Sequence, residues 1–213
     1  MLNKIHIEKV DRNIPKEVYI QVANIHKAEI SSGFLSTLSL NFLARLYRAL
    51  ADSPYSFLFI AKDSQNTVVG FICGGINTKK VIKRFLFRNA ILSFPYLIHR
   101  LFSIKTIKKI FETLSYPSKE NNSNLPEPEI LNFCVSSKTQ RLGIGKKFFY
   151  TLIEEFQKQG IAKIKIVTGE NQVKAQRFYE NNNAIKVQET EIHQGIKSFI
   201  YIYNIEINSQ YNQ

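Results

Sequence analysis

Apolar residues recur along the chain with two periods, and the switches between them outline the elements. Ile5, Ile7 and Val10 alternate with polar neighbours and predict a short opening strand. Over 15–30 the spacing lengthens to that of a helix, with Val18, Val22, Ile25 and Ile30 on one side, until Gly33 interrupts it. Leu40, Leu43, Tyr47 and Leu50 repeat that spacing over 39–51, and Asp52-Ser53-Pro54 closes the second helix. The apolar runs 56–61 and 68–76 flank the polar turn Asp63-Ser64-Gln65-Asn66, which predicts an antiparallel hairpin of two interior strands.

The last third is equally regular. A strand is predicted at 129–135. An amphipathic helix follows at 143–159, burying Ile144, Phe148, Leu152, Ile153 and Phe156, with Gly160 as its stop. Then come a strand at 163–168, a helix at 173–182, and strands at 185–189 and 199–207 joined around Gln194-Gly195. Between the two regular regions, 79–115 is rich in Lys, Arg, Phe, Leu and Ile. Pro95 divides it into expected helices 80–94 and 95–114, and an Asn- and Pro-rich loop over 118–128 leads back. Helix–strand alternation with an early hairpin predicts an α/β fold. Its centre is a mixed sheet of about six to seven strands flanked by helices, in one domain spanning 1–213, with a basic helical insertion at about 79–118.

Charge adds a partner class. Lys and Arg number 29 against 17 acidic residues, a net charge of +12, so anions are natural ligands: nucleic acid, a membrane surface or a phosphorylated molecule. Cys73 and Cys134 each lie inside an apolar run and read as small buried hydrophobes; no Cys/His spacing suggests a metal. The N-terminus alternates in polarity and lacks a signal peptide's apolar core, so a cytoplasmic location is expected.

The chemistry concentrates where a strand runs into Gln140-Arg141-Leu142-Gly143-Ile144-Gly145-Lys146-Lys147. A helix start offers unpaired N–H groups and the positive end of the helix dipole, and glycines let an anion approach that backbone. A dinucleotide fingerprint would need a third glycine where Phe148 stands; a P-loop would need glycine at Gln140 and Ser or Thr at Lys147. What stays open is a diphosphate cradle of another kind, or a loop–helix junction whose glycines serve packing.

Gln140-x-x-Gly143-x-Gly145 after a strand resembles the CoA-binding motif of the GCN5-related N-acetyltransferase (GNAT) superfamily. The resemblance continues in Asn171-x-x-x-Ala175-x-x-Phe178-Tyr179-Glu180 on the next strand–helix unit. It covers 129–205 well and 1–76 through the order of elements, and leaves the insertion without a counterpart. Where members often show Gly-Phe after this helix, Asn183-Ala184-Ile185 stands here, and Asn tolerates the left-handed backbone that Gly would supply. The resemblance implies acetyl-CoA as co-substrate, no metal, and transfer of the acetyl group to a primary amine. A small-molecule amine such as an amino sugar is the first reading. Protein lysine or N-terminal acetylation, or a non-catalytic CoA-binding or membrane-surface module, are the others.

By the same resemblance the strand 129–135 splays from its neighbour, and backbone near Cys134 and Val135 holds the thioester. The cofactor site extends over Gln140, Arg141, Leu142, Gly143, Ile144, Gly145, Lys146 and Asn171, and Tyr179 is the acid that protonates the leaving sulfur. Asn171 also reads as a helix N-cap. For the general base Glu129 is the first choice, and Glu29, a substrate-binding residue, is its rival. Glu129 lies six residues before Val135, so strand alternation predicts a shared face. Glu29 lies on the acceptor side, where Phe34 is a further substrate contact and His26 a lesser candidate. The basic insertion reads as a cap over the acceptor pocket, or as peripheral membrane contact through amphipathic helices. No nucleic-acid partner is expected, because its aromatics suit a helix core, and the state is monomer or homodimer.

Overall fold

The computed structural model describes residues 5–11, 13–30, 34–85, 87, 125–193 and 196–206. Strand β1 (His6–Lys9) leads into α1 (Lys16–Glu29), a 3-10 turn at Phe34–Thr37 and α2 (Leu40–Ala51). Ser39 caps α2, its Oγ accepting from the Phe42 N–H at 3.3 Å. Strands β2 (Ser56–Lys62) and β3 (Val68–Gly75) form the expected antiparallel hairpin. Its turn is built as its residues suggest: Asp63 Oδ1 accepts from the N–H groups of Gln65 and Thr67, and Asn66 takes a φ of 64°.

Residues 78–85 are helical; the rest of the two helices expected at 80–94 and 95–114 lies outside the described residues, apart from 87, which is helical too. The chain continues with β4 (Glu129–Val135), a 3-10 turn at Ser137–Thr139, α3 (Ile144–Lys158), β5 (Lys163–Gly169), α4 (Val173–Glu180), β6 (Ile185–His193) and β7 (Ile196–Asn204). The left-handed turn predicted after α4 is present, with Asn183 at φ 65° and the Ala184 N–H bonded to the Tyr179 carbonyl at 3.0 Å. The final hairpin is longer than predicted. Lys, Glu and Gln on the exposed side of β6 obscure its alternation, yet cross-strand pairing carries it to His193 and Ile196.

The seven strands among the described residues join one sheet in the order β1-β2-β3-β4-β5-β7-β6, antiparallel except where β4 meets β5. Alternation along β2 divides the core into two layers. Leu58 and Ile60 pack with Val22, Leu43 and Tyr47 of α1 and α2, while Phe57, Phe59 and Ala61 pack with Phe148, Leu152 and Phe156 of α3. Gly74 allows α3 to sit close: a Cβ there would meet Phe156 at 2.7 Å and Leu152 at 2.8 Å.

One irregularity shapes the rest. Cys73 pairs with Asn132 and Gly74 with Ile130, which leaves Leu131 as an extra residue in β4, a β-bulge. The bulge resets the alternation. Glu129 and Leu131 turn to the α1/α2 layer, whereas Phe133 and Val135 pack on the α3 side. The expectation that Glu129 and Val135 share a face is therefore corrected, since six residues that include a bulge span an odd number of pleats.

Candidate functional site

Strands β4 and β5 are paired at Glu129–Lys165 and Ile130–Ile166, and then diverge. From Leu131 to Val135 the β4 edge faces a cavity of about 640 Å³ instead of a neighbouring strand. The far wall is Val167 and Thr168 of β5, with Asn171, Ala175 and Tyr179 from the following loop and helix. Glu29 and Ile30, at the end of α1, close the side toward the first two helices. Backbone donors and acceptors on an unpaired strand edge are suited to a ligand that carries amides of its own.

Past β4 the chain turns into α3 through the predicted glycine segment. Gly143 is the N-cap of α3 with φ 76°, and Arg141 also has a positive φ of 65°. Gln140 anchors the turn, its Nε2 donating to the Val135 carbonyl at 3.0 Å. Arg141, Leu142 and Gly143 are exposed and Ile144 is buried in the core, so the helix start is fixed from within and open from without. Space around a Cβ built at Gly143 is empty to 4 Å. With Lys146 and Lys147 exposed on the first turn, this helix terminus beside the cavity has the charge and open backbone that suit an anion; Gln140 belongs to both the turn and the cavity wall.

Tyr179 lies on α4 with 5% of its surface exposed and lines the cavity. The tilted ring of Phe149 and the edge-on ring of Phe178 pack against it, and burial pushes its phenol well above the ordinary range, so it remains protonated at any physiological pH. Cys134 and Val135 also line the cavity. The Cys134 thiol is pushed up to about 12, first by burial and then by the Glu29 carboxylate, which makes it inert as a nucleophile.

The two carboxylates proposed as base occupy different settings. Glu129 Oε2 lies 3.2 Å from Lys165 Nζ, and Glu129 Oε1 accepts from the Thr78 hydroxyl at 2.5 Å; Glu129 and Lys165 are both buried. Glu129 does not line the cavity. It fastens β4, β5 and the helical segment 78–85 at the point where the strands part. Glu29 does line the cavity, with its Oε1 held by the Ser137 N–H at 2.7 Å. Asn171 lines the cavity but is not the cap of α4: Gln172 takes that position, its Oε1 accepting from the Gly169 N–H at 3.0 Å. Phe34 opens the 3-10 turn, and its side chain lies outside the described residues. Among the described residues no group of three His, Cys, Asp or Glu side chains could hold a metal, and no helix is long and apolar enough to cross a membrane.

His26 is placed away from the cavity, which corrects its candidacy as an acceptor contact. It is packed between α1, α2 and β3, with Nδ1 2.5 Å from the Tyr47 hydroxyl and its ring stacked on Phe71. Burial, then the nearby Lys27 charge, lowers its pKa from 6.5 to about 4. The unfolded chain therefore takes up a proton near pH 6.5 that the native state refuses until about pH 4. Stability contributed by neutral His26 is complete above 6.5 and lost as pH falls to about 4. The loss should be about 3 kcal/mol. Denaturant titrations across that range should show it in the natural protein and not in His26→Gln.

Sequence reasoning passes over Lys165, which neutralises Glu129, and Thr168 on the cavity wall. For Lys165 a signal exists: a cation between Ile164 and Ile166 in a buried strand requires a carboxylate. Nothing in a single sequence marks Thr168.

Known proteins share this fold. Residues 96–183 match the family model described as Acetyltransferase (GNAT) family. Comparison with curated proteins finds no match. Among solved structures, an acetyltransferase of the GNAT family from Staphylococcus aureus MU50 superposes with a TM-score of 0.56 at 17% identity, covering 95% of this chain and 99% of its own. The spermidine/spermine N-acetyltransferase SpeG from Vibrio cholerae, in mutant forms, gives 0.59 at 12% identity, covering 98% of each chain. A chain of the NatC complex bound to Gag peptide and CoA gives 0.59 at 14% identity, covering 94% of this chain and 98% of its own. At these identities the likeness is one of fold.

Proposed function

We propose that this chain, whose residues 96–183 match the acetyltransferase (GNAT) family model, transfers the acetyl group of acetyl-CoA to a primary amine of a small molecule, an amino sugar being one such acceptor. The observation that carries this reading is the fork between β4 and β5, which opens beside a glycine-led helix start. The diphosphate fits the exposed N–H groups and cations at 141–147, and the unpaired edge of β4 offers main-chain partners to an extended, amide-bearing arm.

Acetyl-CoA supplies the activated thioester; the chain's residues supply position and proton transfer. Glu29 borders the acceptor side with one oxygen fixed by Ser137, and its second oxygen takes the amine proton, directly or through a water. Main-chain N–H groups of the β4 edge stabilise the thioester oxygen as charge builds. The nitrogen forms its bond to the acetyl carbon, the carbon–sulfur bond breaks, and Tyr179 gives its proton to the departing sulfur. A buried phenol is a weak acid, so it surrenders that proton only as the thiolate develops, a contribution of about 10²-fold or less. The role expected of Glu129 passes to Glu29, because Glu129 is committed to Lys165 and Thr78.

Free-thiol release from acetyl-CoA, measured across amino sugars, polyamines, amino acids and peptides, tests the proposal. Tyr179→Phe should lower kcat by about 10²-fold or less while leaving acetyl-CoA affinity within about twofold. Unchanged turnover in that variant removes the acid from this mechanism. A peptide amine is the second reading, supported by the fold likeness to a chain of a peptide-bound complex; preference for peptides in the same assay selects it.

A further inference from the structure

The wall that β5 contributes to the cavity carries a polar group with nothing to bond. Ile164 and Ile166 pack on the α3 side of β5, and Thr168 follows in the same alternation, two residues past the last β4–β5 pair. It lines the cavity together with Tyr179. The residue is 2% exposed, and its Oγ1 has no hydrogen-bond partner among the described residues.

A buried hydroxyl ordinarily finds a backbone or water partner, and one that lacks both destabilises the protein that contains it. Valine would fill the same volume without that defect. An unsatisfied hydroxyl on the wall of a large cavity therefore points to a partner that arrives with the ligand. We infer that the Thr168 hydroxyl donates to a carbonyl oxygen of the acyl carrier's arm when that arm lies between β4 and β5. This rests on the acetyl-CoA reading and adds to it a side-chain contact from the wall opposite the β4 edge. Its Oγ1 is covered by protein, so donation to the arm requires a step to another staggered χ1 rotamer. With β4 offering main-chain groups and β5 a side-chain donor, the arm is held from both sides, which fixes the sulfur relative to Tyr179.

The test is Thr168→Val, with binding followed by calorimetry for acetyl-CoA, CoA and adenosine 3′-phosphate 5′-diphosphate, the nucleotide half that lacks the arm. Acetyl-CoA affinity should fall about fivefold to tenfold, the cost of one neutral hydrogen bond, while the nucleotide half binds unchanged. An equal loss for CoA assigns the contact to an amide carbonyl; a loss confined to acetyl-CoA assigns it to the thioester. The ligand-free variant should melt at the same temperature or higher. Unaltered acetyl-CoA affinity overturns the inference. So does a lower melting temperature without ligand, which would mean an internal partner, or an effect confined to the KM of the amine. If the natural protein binds the nucleotide half but not the arm, the inference falls alone; if it binds none of the three, the function reading falls with it.

Discussion

Replacing Gly143 by valine should weaken acetyl-CoA binding about 100-fold while lowering the melting temperature by only about 3–6 °C. Two properties of the position separate these effects. Its φ of 76° is reached by valine only at a cost of about 1–2 kcal/mol, a strain the fold can absorb. Space around the new Cβ is empty to 4 Å, so no internal clash adds to that strain. That empty space is where a diphosphate would approach the first N–H groups of α3, and a branched side chain fills it. Gly160 supplies the control. It ends the same helix with φ 71° and equally open surroundings, but it lies far along the chain from the cradle. Gly160→Val should lose the same few degrees and keep its affinity. If calorimetry gives the two variants equal affinity for acetyl-CoA, the anion site is not at Gly143.

Removing Lys165 should be the most damaging single change to the fold. In Lys165→Met the Glu129 carboxylate stays buried without its countercharge, for which a loss of about 3–5 kcal/mol in unfolding free energy is expected. The combined change Glu129→Gln with Lys165→Met should recover most of it, because the cost arises from the orphaned charge and not from lost attraction. Urea denaturation of the two single variants and the double variant measures this directly. A double variant as unstable as the worse single one would show that the pair serves packing. Because the pair also fastens the apex of the fork, Lys165→Met should loosen acetyl-CoA binding in whatever fraction remains folded.

Much of this could be read from local spacing. Helices α1, α2 and α3, the β2–β3 hairpin and the Asn183 turn follow from periodicity and turn chemistry, which are written in consecutive residues. The glycine turn at the start of α3 is legible for the same reason, since a left-handed N-cap followed by cations is a local property. What escaped is set by contacts between distant segments. The Leu131 bulge depends on how β3 and β4 align, and it reverses the face on which Glu129 was expected. The commitment of Glu129 to Lys165 and Thr78 joins residues 36 and 51 positions away in sequence, and no period announces it. The divergence of β4 from β5 was expected by resemblance alone, because strand separation leaves no trace in the hydrophobic pattern of either strand.

The additional residue at Leu131 makes β4 behave as two short strands laid end to end. Odd-numbered positions answer to the α1/α2 layer upstream, through Glu129 and Leu131, and to the α3 layer downstream, through Phe133 and Val135. Deleting that one residue would leave the pairs from Cys73–Asn132 to Gly70–Val135 as they are, and would remove the extra local twist at the point where β4 parts from β5.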